Sequence, residues 1–262
     1  MKNEHIQKRS KTNSGILNFL EKVIRRHPAV YYFFRKLVRY TNIFEEDANG
    51  IKFIKFNKSI NIIDVGASDG IASKFFNRHL NANKIICYEP NEFYVNILKK
   101  LNINNLIIKP YAIGNKNTYK NIYYPSYKFF SKNLDLIPYT YYDKKKLTIQ
   151  LKLDFIFRKN LQIVKKKLYL KKISKFNLKI DLIKIDVNDN GLSVVKCLYK
   201  VINRDKPALL IETDSDIKQI DNELKKLGYN KFSFSNKKTK FTNIKKKFPL
   251  NTYFLQKKHI NF

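Results

Sequence analysis

Apolar positions along the chain change period twice. Ile16, Leu17, Leu20, Val23 and Ile24 recur at helical spacing. After Pro28 a second helical run carries Val30, Phe33, Phe34, Leu37 and Val38 on one face, with Tyr31, Tyr32, Arg35, Lys36 and Arg39 around it. Residues 1–50 therefore read as an N-terminal helical extension that packs its apolar face on the domain; a basic amphipathic segment resting on a membrane surface is the sharper reading of the same pattern. Asn49-Gly50 marks a turn, and Ile51 to Phe56 alternates as a strand would.

From Ile60 the rhythm becomes strand, turn, helix, strand. Ile60 to Val65, Lys84 to Glu89 and Leu106 to Tyr111 read as strands, with helices over Ile71 to Leu80 and Phe93 to Leu101. This alternation predicts a parallel sheet with right-handed crossovers. Between Asn115 and Lys179 the regularity lapses. Tyr119 to Tyr124 and Thr148 to Leu153 read as strands, Asp154 as the cap of a short helix from Phe155, and Ile163 to Leu170 as either helix or strand. We expect residues 115–179 to form a β-rich insertion that shapes a second substrate's site, its tyrosines fitting half-buried strand positions equally well. The pattern resumes with a strand over Asp181 to Val187, a helix over Leu192 to Ile202 and a strand over Pro207 to Thr213. A helix over Ile217 to Leu227 follows, closed by Gly228, and Phe232 to Phe234 and Thr252 to Leu255 supply an antiparallel pair. Residues 51–262 thus read as one domain.

Composition sharpens this only in part. The chain has 262 residues and a 44% hydrophobic content, sufficient for a substantial core. Its net charge of +32 comes from 53 basic residues, of which only eight are arginine. That lysine skew argues against nucleic-acid binding, because specific phosphate and base recognition leans on the planar arginine fork. An anionic membrane or lipid-linked sugar is the more natural partner for the lysine runs at 144–146, 165–167 and 245–247, whose plain reading is solvated edges and loops. Cys87 and Cys197 form no Cys-x-x-Cys pair, and the four histidines share no motif, so neither a disulfide framework nor a zinc site is expected. With no apolar leader and no uncharged apolar run near ~18 residues, the expectation is a cytoplasmic chain, at most peripheral to the inner face of the membrane.

The chemistry gathers at Asp64-Val65-Gly66-Ala67-Ser68-Asp69-Gly70 and Glu89. A dinucleotide turn places glycine where Ser68 stands, and no P-loop lysine follows. An acid at the end of the next strand accepts ribose hydroxyls, while Asp64 or Asp69 at the turn favours a cation over a phosphate. A nucleoside with positive charge and no phosphate is S-adenosylmethionine.

The order of motifs resembles the FkbM family of S-adenosylmethionine-dependent methyltransferases. Ile63 to Gly70 matches its Ile-Asp-Val-Gly-Ala-Asn-x-Gly pattern with Ser68 in place of Asn, and Glu89-Pro90-Asn91 matches its Glu-Pro-Asn. Ala112-Ile113-Gly114, Leu153-Asp154, Ile183 to Val187 and Pro207 to Glu212 follow in order. The resemblance implies a Rossmann-like class I methyltransferase fold, α/β, with a seven-stranded mostly parallel sheet and helices on both faces. It also implies methyl transfer to a hydroxyl, of a glycan or a secondary metabolite. Asp64, Gly66, Ala67, Ser68 and Gly70 would form the methionyl side of the cofactor site, Glu89 with Pro90 would hold the ribose, and Tyr111 and Ala112 would lie at the adenine edge.

Asp186, near the end of the fourth core strand, is the candidate base. Where the family has Val-Glu-Gly-x-Glu, this chain has Val187-Asn188-Asp189-Asn190-Gly191, so both glutamates are absent and the glycine is Asp189. Three readings follow: Asp189 replaces a lost carboxylate beside Asp186; a divalent cation sits among Asp186, Asp189, Glu212 or Asp214; or the chain is a non-catalytic cofactor-binding or interaction module.

Overall fold

The computed structural model describes residues 27–38, 46–56, 58–173 and 176–260. The helix expected over Ile16 to Ile24 lies outside them. The described chain divides into two compact units, one of residues 46–118 and 169–260, the other of residues 27–38 and 119–168. The second helical run thus groups with the insertion rather than extending the sheet domain.

In chain order the elements are helix α1 (Pro28–Val38), a 3-10 helix (Glu46–Phe53), β1 (Ile60–Val65), α2 (Ile71–His79), β2 (Ala82–Tyr88), α3 (Glu92–Lys99), β3 (Leu106–Lys109) and β4 (Ala112–Ile113). Next come β5 (Thr118–Phe129), β6 (Lys132–Asp135), α4 (Lys144–Asp154), β7 (Leu161–Lys171), β8 (Leu182–Ile185), α5 (Gly191–Asp205) and β9 (Ala208–Glu212). The chain ends with α6 (Ile217–Lys225), β10 (Asn230–Ser235), β11 (Lys240–Asn243) and β12 (Asn251–Leu255).

The first unit is built on an eight-stranded sheet in the order β11-β10-β12-β9-β8-β1-β2-β3. Strands β3, β2, β1, β8 and β9 run parallel, and β12 inserts antiparallel between β9 and β10. The sheet has one strand more than the seven expected, because β11 folds back on β10 as a hairpin. Strands β1, β8 and β12 are buried along their whole length, which explains their near-continuous apolar runs. One face packs Ile63, Val65, Ile183, Ile185 and Ile211 against Val194, Val195 and Leu198 of α5 and Ile220 and Leu224 of α6. The other packs Ile62, Ile85, Leu182 and Leu210 against Phe75 and Phe76 of α2 and Leu98 of α3. Both faces are covered, as parallel sheets require.

Three local expectations are corrected. Ile51 to Phe56 belongs to no strand; Ala48 and Ile51 of the 3-10 helix, and Ile54 just beyond it, bury at intervals of three, the repeat of that helix. Thr148 to Leu153 lies in α4, where Leu147 and Leu151 bury one turn apart and the Asp143 side chain accepts from the Lys145 and Lys146 N–H groups. Asp154 therefore ends a helix rather than starting one, and it accepts from Tyr139 Oη and Gln150 Nε2, both at 2.8 Å.

In the second unit α1 turns the opposite way from the expected packing. Ala29, Tyr31 and Tyr32 pack inward on Tyr139, Phe155, Tyr127 and Leu134, while Val30, Phe33 and Phe34 face solvent. Tyr31 packs edge-on against Tyr139 and Phe155, with ring centroids 5.3 and 5.9 Å apart. No helix among the described residues is long and apolar enough to cross a membrane.

Candidate active site

The turn after β1 is held by its own backbone. Gly66, Ser68 and Gly70 all take left-handed conformations, with φ of 79°, 48° and 78°. Gly66 and Ala67 donate their N–H groups to Tyr88 O, Ser68 N–H donates to Glu89 Oε2 at 2.8 Å, and Gly70 N–H donates to Ala67 O. These are the donors that a dinucleotide turn would offer to a pyrophosphate, and here they are consumed internally. A Cβ on Gly66 would lie 2.0 Å from Asp186 O, so this glycine lets the ends of β1 and β8 close on each other.

Glu89 follows β2 directly. The residue is 6% exposed, and its carboxylate accepts from Ser68 N–H and from Asn91 N–H, one on each oxygen at 2.8 Å. Pro90, half-buried, brings no N–H of its own and holds Glu89 extended, so Asn91 is the next donor in line. Burial pushes the Glu89 carboxyl up to about 7, against the two N–H donors that lower it. Each oxygen keeps a lone pair for a further hydroxyl donor.

Asp64 lies under the turn rather than lining it. Fully buried, it accepts from Ser73 Oγ of α2 at 3.0 Å, and Oδ1 makes no hydrogen bond, its ionic partner being Lys184 Nζ at 3.7 Å. Burial raises its carboxyl above the usual range, opposed by Lys184 and Ser73. Lys184 is the cross-strand register partner of Asp64 on β8, and its Nζ also donates to Asp186 Oδ2 at 2.9 Å. One buried ammonium thus ties the acid beneath the cofactor turn to the candidate base. The sign available in sequence was a lysine inside the apolar run Leu182-Ile183-Lys184-Ile185, since a buried cation requires a counter-charge.

Asp186 sits one residue past β8 with its side chain 46% exposed. Asp189 takes a left-handed conformation, φ 57°, at the position of the family glycine, and its N–H donates to Asp214 Oδ2 at 2.6 Å. Aspartate is among the side chains that tolerate this conformation, so the replacement preserves the turn. Among the described residues no group of three or more His, Cys, Asp or Glu is arranged to hold a metal ion.

At the opposite edge Tyr111 is half-buried, its ring edge-on to Tyr88 at 5.6 Å, with Lys171 Nζ 4.8 Å from its centroid. Ala112 is buried beside it. Asn190 Nδ2 donates to Ile113 O at 3.3 Å, while the Asn190 Oδ1 is buried without a hydrogen-bond partner, an acceptor of the kind an adenine amino group satisfies. A solvent-open groove of about 690 Å³ along α5 and α6, lined by Leu192, Lys196, Gln219 and Glu223, shares no residue with this site.

The residues present fit S-adenosylmethionine. Four N–H groups of the turn are taken up internally, Glu89 retains acceptors for a ribose diol, and the part-exposed Asp186 carboxylate follows the strand that closes on Gly66. With a strand order in which the last strand inserts antiparallel beside the fifth core strand, these features define a class I methyltransferase fold. The chain belongs to the FkbM family: the model of the methyltransferase FkbM domain matches residues 64–231. Among curated proteins no relative matches. Solved structures of similar course include an FkbM methyltransferase from Methylobacillus flagellatus KT, at 12% identity and TM-score 0.46 over 91% of this chain and 58% of that one. A precorrin-6y C5,15-methyltransferase from Geobacter metallireducens GS-15 has 12% identity and TM-score 0.40, covering 82% and 88% of the two chains. A SAM-dependent methyltransferase from Aquifex aeolicus has 11% identity and TM-score 0.38, covering 93% and 98%. The present chain spans somewhat over half the length of the Methylobacillus protein.

Proposed function

We propose that this chain transfers a methyl group from S-adenosylmethionine to a hydroxyl oxygen, of a glycan or secondary metabolite, with Asp186 accepting the hydroxyl proton. The observation that carries the reading is the Lys184 bridge, which holds a solvent-reachable carboxylate beside the cofactor turn. The cofactor supplies a methyl already activated by its sulfonium, so the protein's work is alignment and proton removal. Glu89 holds the ribose, the turn from Gly66 to Gly70 fixes where the methionyl part lies, and Lys184 orients Asp186. Asp189 keeps the left-handed turn that follows.

Methyl transfer to a panel of glycans, lipid-linked sugars and hydroxylated metabolites, read as S-adenosylhomocysteine formed, tests the reading. Asp186→Asn is expected to lower kcat at least ~100-fold with cofactor affinity kept, and Asp189→Gly to retain most activity. A loss confined to the Asp189→Gly variant would assign the proton to Asp189 instead, and equal losses would make both carboxylates necessary. Tight cofactor binding by the unaltered chain with no turnover on any acceptor would favour the non-catalytic module, and absence of cofactor binding would sink both readings.

A further inference from the structure

The second unit exposes several large apolar side chains, and those of α1 adjoin those of the β5–β6 hairpin. Val30, Phe33 and Phe34, spaced as one stripe on α1, are 46%, 46% and 37% exposed. Phe33 meets Phe129 at 6.0 Å, and Phe129 meets Phe130 at 4.8 Å, so the stripe continues onto the β5–β6 hairpin. Phe130 at the hairpin tip is 84% exposed and holds a left-handed conformation, φ 51°, an uncommon arrangement for a bulky residue. Phe157, 59% exposed beyond α4, contacts His27 at the start of α1 at 5.6 Å. Four phenylalanines, from α1, the β5–β6 hairpin and the segment beyond α4, are thus exposed on this unit.

The charge around them is predominantly positive. Exposed Lys128 and Lys132 flank the hairpin tip, and exposed Arg158 and Lys159 follow Phe157. Residues 119–168 contain eleven lysines and one arginine against three aspartates. A second copy of this chain would bring like charge against like, whereas an anionic bilayer attracts the lysines and admits the rings at headgroup depth.

From this we infer that the second unit is a docking surface for an anionic phospholipid bilayer, with Phe33, Phe34 and Phe130 entering the headgroup region and Lys128, Lys132, Arg158 and Lys159 meeting the lipid charge. The inference is independent of the methyl-transfer reading, since none of these residues belongs to the cofactor site.

The test uses the full chain with sedimented vesicles of phosphatidylcholine alone or mixed with phosphatidylserine. Binding is expected to the mixed vesicles only, weakened by salt, and reduced at least ~tenfold by Phe33→Ser, Phe34→Ser and Phe130→Ser combined. These side chains are exposed, so an unchanged melting curve and unchanged cofactor affinity check that the variant is folded. The chain has no tryptophan, so a Phe130→Trp variant reports alone, and its emission should shift to the blue on mixed vesicles. No vesicle binding, binding unaffected by the triple variant, or no shift would overturn the inference. Self-association without lipid that the triple variant abolishes would assign the surface to a second copy, and binding of single-stranded RNA in preference to mixed vesicles would assign it to nucleic acid.

Discussion

Glu89 faces two opposing demands. Ribose hydroxyls bind best to a carboxylate, yet the residue is buried deeply enough that its proton is held up to about pH 7. In the cofactor-free protein the folded state therefore binds more protons than the unfolded chain between the ordinary 4.5 and about 7, and this group's contribution to stability falls as pH rises through that window. Donors from a ribose diol favour the ionised form, so binding should pull the proton off. We expect affinity for S-adenosylhomocysteine to rise from about pH 6 to about pH 8, with a proton released near neutrality. Calorimetry in buffers of different ionisation enthalpy reads that proton. Glu89→Gln should flatten the pH dependence and weaken binding at the upper pH by about ten- to a hundredfold, the scale of a charged hydrogen bond. Flat affinity in the unaltered protein would mean that the ribose is held elsewhere.

At the scale of elements, the strand ends were legible and the cross-strand pairs were not. Asp64 and Glu89 could be placed because a buried apolar run followed by glycine or proline marks where a parallel strand stops. Lys184 could be read as part of a motif, but its pairing with Asp64 depends on β1 and β8 being neighbours, which topology decides across 120 positions of sequence. The 3-10 helix and α4 defeat a sequence reading because short stretches satisfy two periods at once: Ile51 and Phe53 alternate as in a strand while Ala48 and Ile51 keep an interval of three, and Thr148 and Ile149 are β-branched inside a helix. The turn after β12 shows a further element that sequence could not supply. His259 is 4% exposed, its Nδ1 accepts from Gln256 N–H at 2.9 Å, and its own carbonyl accepts from Lys55 N–H. Burial pushes this imidazole down to about 4. A base whose folded value is depressed contributes stability that is whole above the unfolded value of 6.5 and is lost as pH falls toward 4. Between those limits the unaltered protein should lose up to about 3 kcal/mol more than His259→Asn, whose amide oxygen can accept the same N–H without titrating. Urea unfolding at a series of pH values measures the difference, and parallel curves for the two proteins would refute the assignment. Glu89 acts in the opposite direction over much of this range, and it cancels because both proteins carry it.

For the whole molecule the dominant fact is charge. A net +32 over 262 residues places many lysines within reach of one another, and their mutual repulsion is a cost that the folded state bears more heavily than an expanded chain. The acids among the described residues do local work that leaves the balance unchanged: Asp205 holds Arg204 and accepts Ile180 N–H, Asp221 pairs with Lys231, and Asp64 and Asp186 share Lys184. Salt should therefore stabilise this protein where it weakens ordinary surface pairs, because screening removes more repulsion than attraction. Raising sodium chloride from a few millimolar to a few hundred millimolar is expected to lift the thermal midpoint by several degrees, since relief of about 1–2 kcal/mol moves a domain of this size by about that much. Choline chloride at the same ionic strength should match it, which separates screening from effects of the particular cation. A flat or falling midpoint would show that the surface lysines are already spaced to avoid one another. The same screening should weaken attachment to anionic vesicles, so one titration is expected to tighten the fold while loosening its hold on the bilayer.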